Sequence, residues 1–407
     1  MMAPAAAELD IELHLLAGSP TASAAQVIPH TTLGDYRSVN DVLAFSRDVD
    51  VVTFDHEHVP AAVLAALQDA GKALHPGPHA LHYAQNKLAM RRAMDELGLP
   101  NPRWAETASV EELRRFGDDA GWPVVLKTPL GGYDGKGVRI IDDAPSASQA
   151  ADWFARAKEQ GTGLLAEEKV PFTRELSAQV ARSPTGETML YPVVESNQAD
   201  GICDEVIAPA PRTSEAHVKA AERIARTIAE RLDVTGMLAV ELFEIDEKHA
   251  EDEDAGEAGT RTRPAGVYVN ELAMRPHNSG HWSMDGAVTG QFEQHLRAVL
   301  GLPLGAPDLL GGAGGHTVMK NLLGSQDAHR SGMDLHGAVP AAMRRSPHSK
   351  VHLYGKEQRP GRKVGHVNIV TQTFNETETW ETRHRRLERT RSMAAEVAEL
   401  IIEGKSS

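Results

Sequence analysis

Apolar residues recur along this chain in two periods, and the changes of period divide it. In the first 78 residues the runs Ile11–Leu16 and Val49–Phe54 are short, the second strand-like, whereas Val59–Ala70, just after Pro60, carries helical spacing. Such alternation predicts an α/β unit with a parallel sheet. His75-Pro-Gly-Pro78 clusters chain breakers and marks a boundary. The next pattern predicts one helix from about His79 to Leu97, closed by Gly98 with Pro100 beyond. A strand-rich middle follows, including Leu164–Glu168 and interrupted by the amphipathic helix Val218–Leu232. Met237–Ile245 and Val267–Leu272 read as two strands flanking a polar segment. Beyond the glycine-rich Gly311–Gly315 lies a further small region, and Glu376 to about Glu403 reads as a terminal helix. The division is therefore 1–78, 79–310, 311–375 and 376–407, with no internal repeat.

Composition narrows the class. A chain of 407 residues suits two or three domains, and 41% hydrophobic content suffices for real cores. The single cysteine, Cys203, excludes a disulfide framework and a multi-cysteine zinc site, and fits a reducing cytoplasm. No apolar run reaches transmembrane length, and the N-terminus lacks the basic and apolar regions of a signal peptide. A net charge of −15 argues against general nucleic-acid binding. Part of that charge is local: Asp246 to Arg263 holds seven acidic and three basic residues, so 246–264 reads as a solvated insertion.

Candidate chemistry starts at Lys127-Thr-Pro-Leu-Gly-Gly-Tyr-Asp-Gly-Lys-Gly137, set between the apolar runs Val124–Leu126 and Val138–Ile141. This is strand, glycine-rich loop, strand. Glycine lets backbone N–H groups converge on phosphate oxygens, and a lysine neutralises them. The lysine is followed by Gly137 and a strand, so neither a P-loop nor a dinucleotide fingerprint fits. A nucleotide lid and a plain surface hairpin remain.

Glu241 and Glu271 each sit in an apolar strand, where a lone carboxylate needs a cation or strong donors. Magnesium takes carboxylate and phosphate oxygens, and a structural ion pair with Arg275 is the competing account. If the two strands pair, both carboxylates can face the lid; Asn270 would point away unless the strand is locally irregular. Met274-Arg-Pro-His-Asn-Ser-Gly-His-Trp282 is too polar for a core. Its Arg275 suits oxyanions and its His277 suits proton transfer or anion binding, against the reading of a polar loop with satisfied histidines. Lys356-Glu-Gln-Arg-Pro-Gly-Arg-Lys-Val-Gly-His366 concentrates cations in an acidic protein, as either a second phosphate pocket or a solvated hairpin.

Taken in order, these segments resemble the ATP-grasp superfamily, and within it the 5-(carboxyamino)imidazole ribonucleotide synthase family. The blocks that carry the resemblance are Thr53-Phe-Asp-His-Glu-His-Val59, the glycine loop, Tyr191-Pro-Val-Val-Glu195, Asn270–Trp282 and Arg359–Asn368, spanning about residues 1 to 375. The arginine–histidine and Arg-Pro-Gly-Arg-Lys blocks are specific to this family; the loop and the Asn-Glu pair are shared more widely. A formate-using ATP-grasp ligase would not need those two blocks, and a nucleotide-binding regulator would bind without turnover.

The resemblance implies an α/β fold: a Rossmann-like pre-ATP-grasp domain, an ATP-grasp domain and a small C-terminal β-rich domain. It implies a magnesium-dependent ligase, cytoplasmic and homodimeric. The expected substrates are ATP, bicarbonate and 5-aminoimidazole ribonucleotide, joined through carboxyphosphate in purine biosynthesis, with no nucleic-acid or membrane partner. It implies that Lys87, Lys127 and the loop Gly132, Tyr133, Asp134, Gly135, Lys136 and Gly137 hold ATP phosphates. Glu167, Glu168, Lys169 and Val170 would line the adenine, Glu175 the ribose, and Gln198 would stand where a nucleotide-contacting histidine is common. Glu241 and Glu271 would bind magnesium beside Asn270. Tyr133, Asp134, Arg275, His277, Lys356, Arg359, Arg362 and Lys363 would surround the ribonucleotide and bicarbonate, with Asp134, Arg275, His277 and Lys356 acting on the reacting groups. The family opens on a strand and a glycine-rich turn, whereas Met1–Leu9 resembles the helix after that turn. A missing first strand is therefore expected, with a gap in the parallel sheet, part of the substrate pocket lost, and a start placed too far downstream.

Overall fold

The computed structural model describes residues 1–131, 137–246, 263–312, 314–325, 335–371 and 379–404. The loop residues Gly132, Tyr133, Asp134, Gly135 and Lys136, and positions 247–262 of the acidic insertion, lie outside the described residues.

Strand and helix alternate at the N-terminus as expected, but not in one parallel sheet. β1 (His14–Ala17) pairs with β2 (His30–Leu33), and β3 (Val51–Val52) pairs separately with β4 (Ala73–Leu74), both in parallel. No described strand bridges the two halves. Of the expected strand Val49–Phe54 only Val51 and Val52 are paired.

The helix expected over 79–97 is two helices, Pro78–Gln85 and Lys87–Glu96. Asn86 between them is extended (φ −126°, ψ 106°), bridges to Leu130, and accepts the N–H groups of Leu88 and Ala89 at 3.0 and 3.2 Å. Asparagine is a strong N-cap, and here capping outweighs helix continuity.

Two antiparallel sheets form the body. β5 (Trp104–Thr107), β6 (Val124–Lys127), β7 (Val138–Ile141) and β8 (Leu164–Glu168) make a four-stranded sheet ordered β5-β8-β6-β7. β6 and β7 pair across the glycine loop, Lys127 opposite Val138. The second sheet comprises β9 (Arg174–Arg182), β10 (Thr188–Leu190), β11 (Val194–Ala199), β12 (Ile202–Ala208), β13 (Gly236–Ile245), β14 (Gly266–Ala273), β15 (His316–Leu323), β16 (Ser349–Leu353) and β17 (Lys363–Thr371). Its order is β14-β13-β9-β11-β12-β15-β17-β16, with β10 on β9. The C-terminal strands β15, β16 and β17 continue the sheet that carries Glu241.

Helix Glu215–Arg231 buries Ala221, Ile224, Ala225, Ile228 and Ala229, the face its periodicity specifies, in one core with Leu238, Val240 and Leu242 of β13. Met90, Met94, Val63 and Leu67 join that core, so the N-terminal helices are packed onto the sheet bearing the site. Truncating a fully buried side chain such as Ile228 costs about 2–5 kcal/mol. The terminal helix Trp380–Glu403 seats Leu387, Ala394, Val397 and Ile401 against Val318, Leu322, Val364 and Val367.

Candidate active site

β13 and β14 pair antiparallel with Glu241 opposite Glu271, then slip by one residue so that Leu242 faces Val269. The slip leaves Asn270 as the extra residue of a bulge, the irregularity its side chain requires to join this face. A bulge strands backbone carbonyls, and the buried Arg91 receives them: its guanidinium donates to Val269 O at 2.8 Å and Asn270 O at 2.9 Å. Arg91 also donates to Glu167, which accepts Lys127 at 2.8 Å on its other oxygen. Lys87, first residue of the helix that Asn86 caps and one turn before Arg91, reaches Glu271 at 2.8 Å.

Charge follows from this wiring. Burial pushes the Glu167 carboxyl up, but Arg91 and then Lys127 outweigh burial and hold it at about 2. Glu271 is likewise held below the ordinary carboxylate range, because Lys87 and Lys127 overcome its burial. Among the described residues no lysine or arginine forms an ion pair with Glu241; burial, Glu271 and Glu175 push it up to about 7 against the weaker pull of Lys363 and Lys87. Glu175, on β9, rises to about 7 by burial, relieved by Lys127 and reinforced by Glu271. Two carboxylates facing each other across a ladder repel, and the structure divides them into one paired with lysine and one pushed toward its protonated form. The acid pair plus the oxygen of Asn270 is a hard-oxygen donor set of the kind magnesium takes.

The opposite wall comes from the turn after β14. Arg275 donates to Glu57 at 2.9 Å, and Gln85 holds the Glu57 and Val59 carbonyls at 2.6 and 2.9 Å. The pairing of Arg275 is therefore with the N-terminal region and not with either strand carboxylate. His277 Nδ1 lies 2.9 Å from Ser279 Oγ and 3.4 Å from the Ser279 N–H, which places the ring proton on Nε2, 3.4 Å from Glu241. Burial, then Arg275 and Lys363, keep His277 neutral.

The two walls enclose a cavity of about 870 Å³. Of the expected site residues, Lys87, Glu175, Gln198, Glu241, Asn270, Glu271, Arg275, His277 and Lys363 line it. Lys127 is buried at its edge, 3.4 Å from Asn270 Oδ1. Gly137 closes the described end of the loop, its carbonyl accepting from Thr128 N at 3.0 Å. Other expected residues stand away from this lining. The carboxylates of Glu167 and Glu168 do not reach the cavity: Glu167 is taken by Arg91 and Lys127, and Glu168 by Arg103 N at 2.8 Å and by Arg263. Val170 is buried with Ile245 and Tyr268, and Lys169 stays beside it on the linker. Lys356, Arg359 and Arg362 are absent from the lining: Lys356 sits over the Tyr354 ring at 5.3 Å, while Arg359 and Arg362 bond Glu357 at 2.7 and 3.2 Å. Glu57, Gln85, Arg91, Asn278 and Gln291 were not legible as site residues. A carboxylate among histidines at Glu57 and an arginine on the buried face of a helix at Arg91 were the available signals.

Comparison with known proteins identifies the family. Residues 92–292 match the ATP-grasp domain, 1–85 the ribonucleotide synthetase preATP-grasp domain, and 317–379 the phosphoribosylaminoimidazole carboxylase C-terminal domain. The N5-carboxyaminoimidazole ribonucleotide synthase of Corynebacterium ammoniagenes is 45% identical over 370 residues, 91% of this chain and 84% of that protein. The crystal structure of the N5-carboxyaminoimidazole ribonucleotide synthetase from Thermus thermophilus superposes with TM-score 0.77 at 34% identity, covering 96% and 94% of the two chains. That of the Aspergillus clavatus synthase, in complex with ADP and 5-aminoimidazole ribonucleotide, gives 0.78 at 26% identity, covering 97% and 95%. With a bulged carboxylate pair between lysines on one wall, an arginine–histidine turn on the other, and likeness along nearly its whole length, this chain belongs to the N5-carboxyaminoimidazole ribonucleotide synthase family of ATP-grasp ligases.

Proposed function

We propose that the chain carboxylates 5-aminoimidazole ribonucleotide to 5-(carboxyamino)imidazole ribonucleotide, using ATP, bicarbonate and magnesium, in purine biosynthesis. The observation that carries the proposal is one cavity with a phosphate-type wall (Lys87, Glu241, Asn270, Glu271) facing an oxyanion-type wall (Arg275, His277, Lys363). Bicarbonate is a poor electrophile. Its oxygen attacks the γ-phosphorus, ADP leaves, and carboxyphosphate forms; the substrate amine then attacks the carboxyl carbon, phosphate departs and the amine loses a proton.

Each residue then has a task. Lys87 and Lys127 exchange their carboxylate partners for ATP phosphate oxygens. Glu241 and Glu271 would hold magnesium, which would neutralise phosphate charge, and the raised Glu241 carboxyl would have to ionise to serve as a ligand. The linker Glu167–Val170, its acid side chains occupied, offers backbone to the adenine, and Glu175 and Gln198 face the ribose side. Arg275, the neutral His277 through Nε2–H, and Lys363 direct donors at the oxygens of carboxyphosphate and the ribonucleotide phosphate. The family resemblance assigns Tyr133 and Asp134 to the ribonucleotide, and carboxyphosphate, which water hydrolyses, requires a site that excludes water. A cytoplasmic homodimer completes the reading, supported by family membership; none of the described helices is long and apolar enough to cross a membrane.

The test is phosphate release from magnesium–ATP by this chain. Release that requires both 5-aminoimidazole ribonucleotide and bicarbonate supports the reading. Release driven by formate, or ATP binding without any turnover, sinks it.

A further inference from the structure

Behind the oxyanion wall lies a buried polar network whose central residue touches no cavity surface. Gln291 opens the helix Gln291–Val299, fully buried, its backbone N–H donating to Ser283 Oγ at 2.9 Å. Its side-chain amide grips His277 by both backbone groups: Oε1 accepts the His277 N–H at 3.0 Å, and Nε2 donates to the His277 carbonyl at 2.9 Å. The second Nε2 hydrogen points at His281 Nδ1, 2.7 Å away.

These contacts determine the orientation of every member. The His277 N–H can only donate, so the amide oxygen of Gln291 must face it, and Nε2 must face His281. His281 Nδ1 must then accept, which makes His281 a neutral ring with its proton on Nε2. Its surroundings favour that state. The ring stacks on Phe292 at 5.6 Å and on His366 at 5.0 Å, and burial followed by the nearby His277 and Lys363 disfavours the cation. Space is equally constrained: a Cβ on Gly280 would lie 2.3 Å from Gln291 Oε1 and 2.6 Å from Gln179 Nε2. Glycine at 280 thus leaves room for the amide to close on the turn.

We propose that Gln291, held by the Nδ1 acceptor of neutral His281, is a positioning residue that sets His277 against the substrate. The proposal rests on the reading of His277 as a substrate-facing donor. Without the amide, the His277 backbone loses both anchors while Lys87, Lys127 and the carboxylates keep theirs. The signature is therefore selective for the carboxylation half of the reaction.

The experiment is steady-state kinetics on Gln291→Leu, His281→Leu, His281→Asn and His277→Ala, with ADP affinity and thermal unfolding measured alongside. Gln291→Leu and His281→Leu should lower kcat/KM for 5-aminoimidazole ribonucleotide by up to about 100-fold, the cost of a small misplacement at a reacting centre. KM for ATP and ADP affinity should stay near wild type. His281→Asn, whose amide oxygen can stand where Nδ1 stood, should recover most of the loss. Normal ribonucleotide kinetics in Gln291→Leu, equal loss of ADP binding, or His281→Asn behaving as His281→Leu would each overturn the proposal. If His277→Ala alone leaves those kinetics intact, the reading of His277 fails instead. Imidazole nitrogen NMR of the unsubstituted protein gives a check that needs no variant to fold. His281 must show an unprotonated Nδ1 near neutral pH, and a protonated Nδ1 would refute the clamp.

Discussion

The two walls of the cavity solve the same problem, holding a polar side chain in an apolar sheet, by different physics. On the phosphate wall, ions are held by ions: Arg91 and Lys127 on Glu167, Lys87 on Glu271. On the oxyanion wall Arg275 is again held by an ion, Glu57, but His277 is held by neutral amides and hydroxyls: Gln291 on its backbone, Ser279 on its ring, and Asn321 on the adjacent Asn278 at 2.7 Å. Ion pairs in low dielectric are strong but exchangeable for another ion of the same sign. Neutral hydrogen bonds are weaker but keep their geometry when a charged ligand arrives. The first wall suits a site whose lysines must transfer to phosphate; the second suits a template that should not move.

The largest test of this contrast is Arg91→Met. It leaves Glu167 with Lys127 alone and strips the bulge carbonyls of donors, so chemical denaturation should show a loss of about 3–5 kcal/mol. An unchanged midpoint would mean the ionic wall is not held as described. Next, Glu271→Gln should preserve the fold yet lower magnesium-dependent phosphate release by about 100-fold or more, because the charge is needed when the phosphoryl group transfers. Retained turnover would remove Glu271 from the metal set.

A third test uses pH. The folded values of Glu241 and Glu175 are raised to about 7, above the ordinary range, so below that pH these groups hold protons that a cation must displace. Manganese or magnesium affinity of the nucleotide-free protein should therefore weaken as pH falls from 8 to 6, by up to roughly tenfold per unit for each proton displaced. The sign for stability is the reverse of a salt-bridged carboxylate: the contribution of these two groups is fully present below their ordinary value of 4.5 and is lost as pH rises from there to about 7. Glu241→Gln should flatten the metal profile. Smallest is Ser279→Ala, which removes one neutral partner of the His277 ring. It should cost about 1 kcal/mol of stability and raise KM for the ribonucleotide without touching KM for ATP. An effect on ATP would blur the distinction between the walls.

Glu241 and Glu271 were legible because a carboxylate in an apolar strand is conspicuous, and the need for a bulge at Asn270 followed from strand alternation alone. The break at Asn86 was not: helical periodicity continues through it, and only the bridge to Leu130 and the cap reveal that Lys87 begins a new helix. Gln291 was equally hidden, since nothing local distinguishes a glutamine that opens a helix from one that clamps a turn fourteen residues earlier. The charge of the turn Lys356–Arg362 left a phosphate pocket and a solvated hairpin both open; in the fold its cations stand on Tyr354 and Glu357, away from the cavity lining.

By itself the amino-acid order determined the glycine loop between strands, the amphipathic faces, the family and the residue types that chemistry needs, because these depend on local period and composition. Tertiary structure alone decided which carboxylate is pushed up and which is held down, which cation faces the cavity and which amide holds His277. Those properties depend on the distance between side chains far apart in sequence and on the water that folding removes from around them.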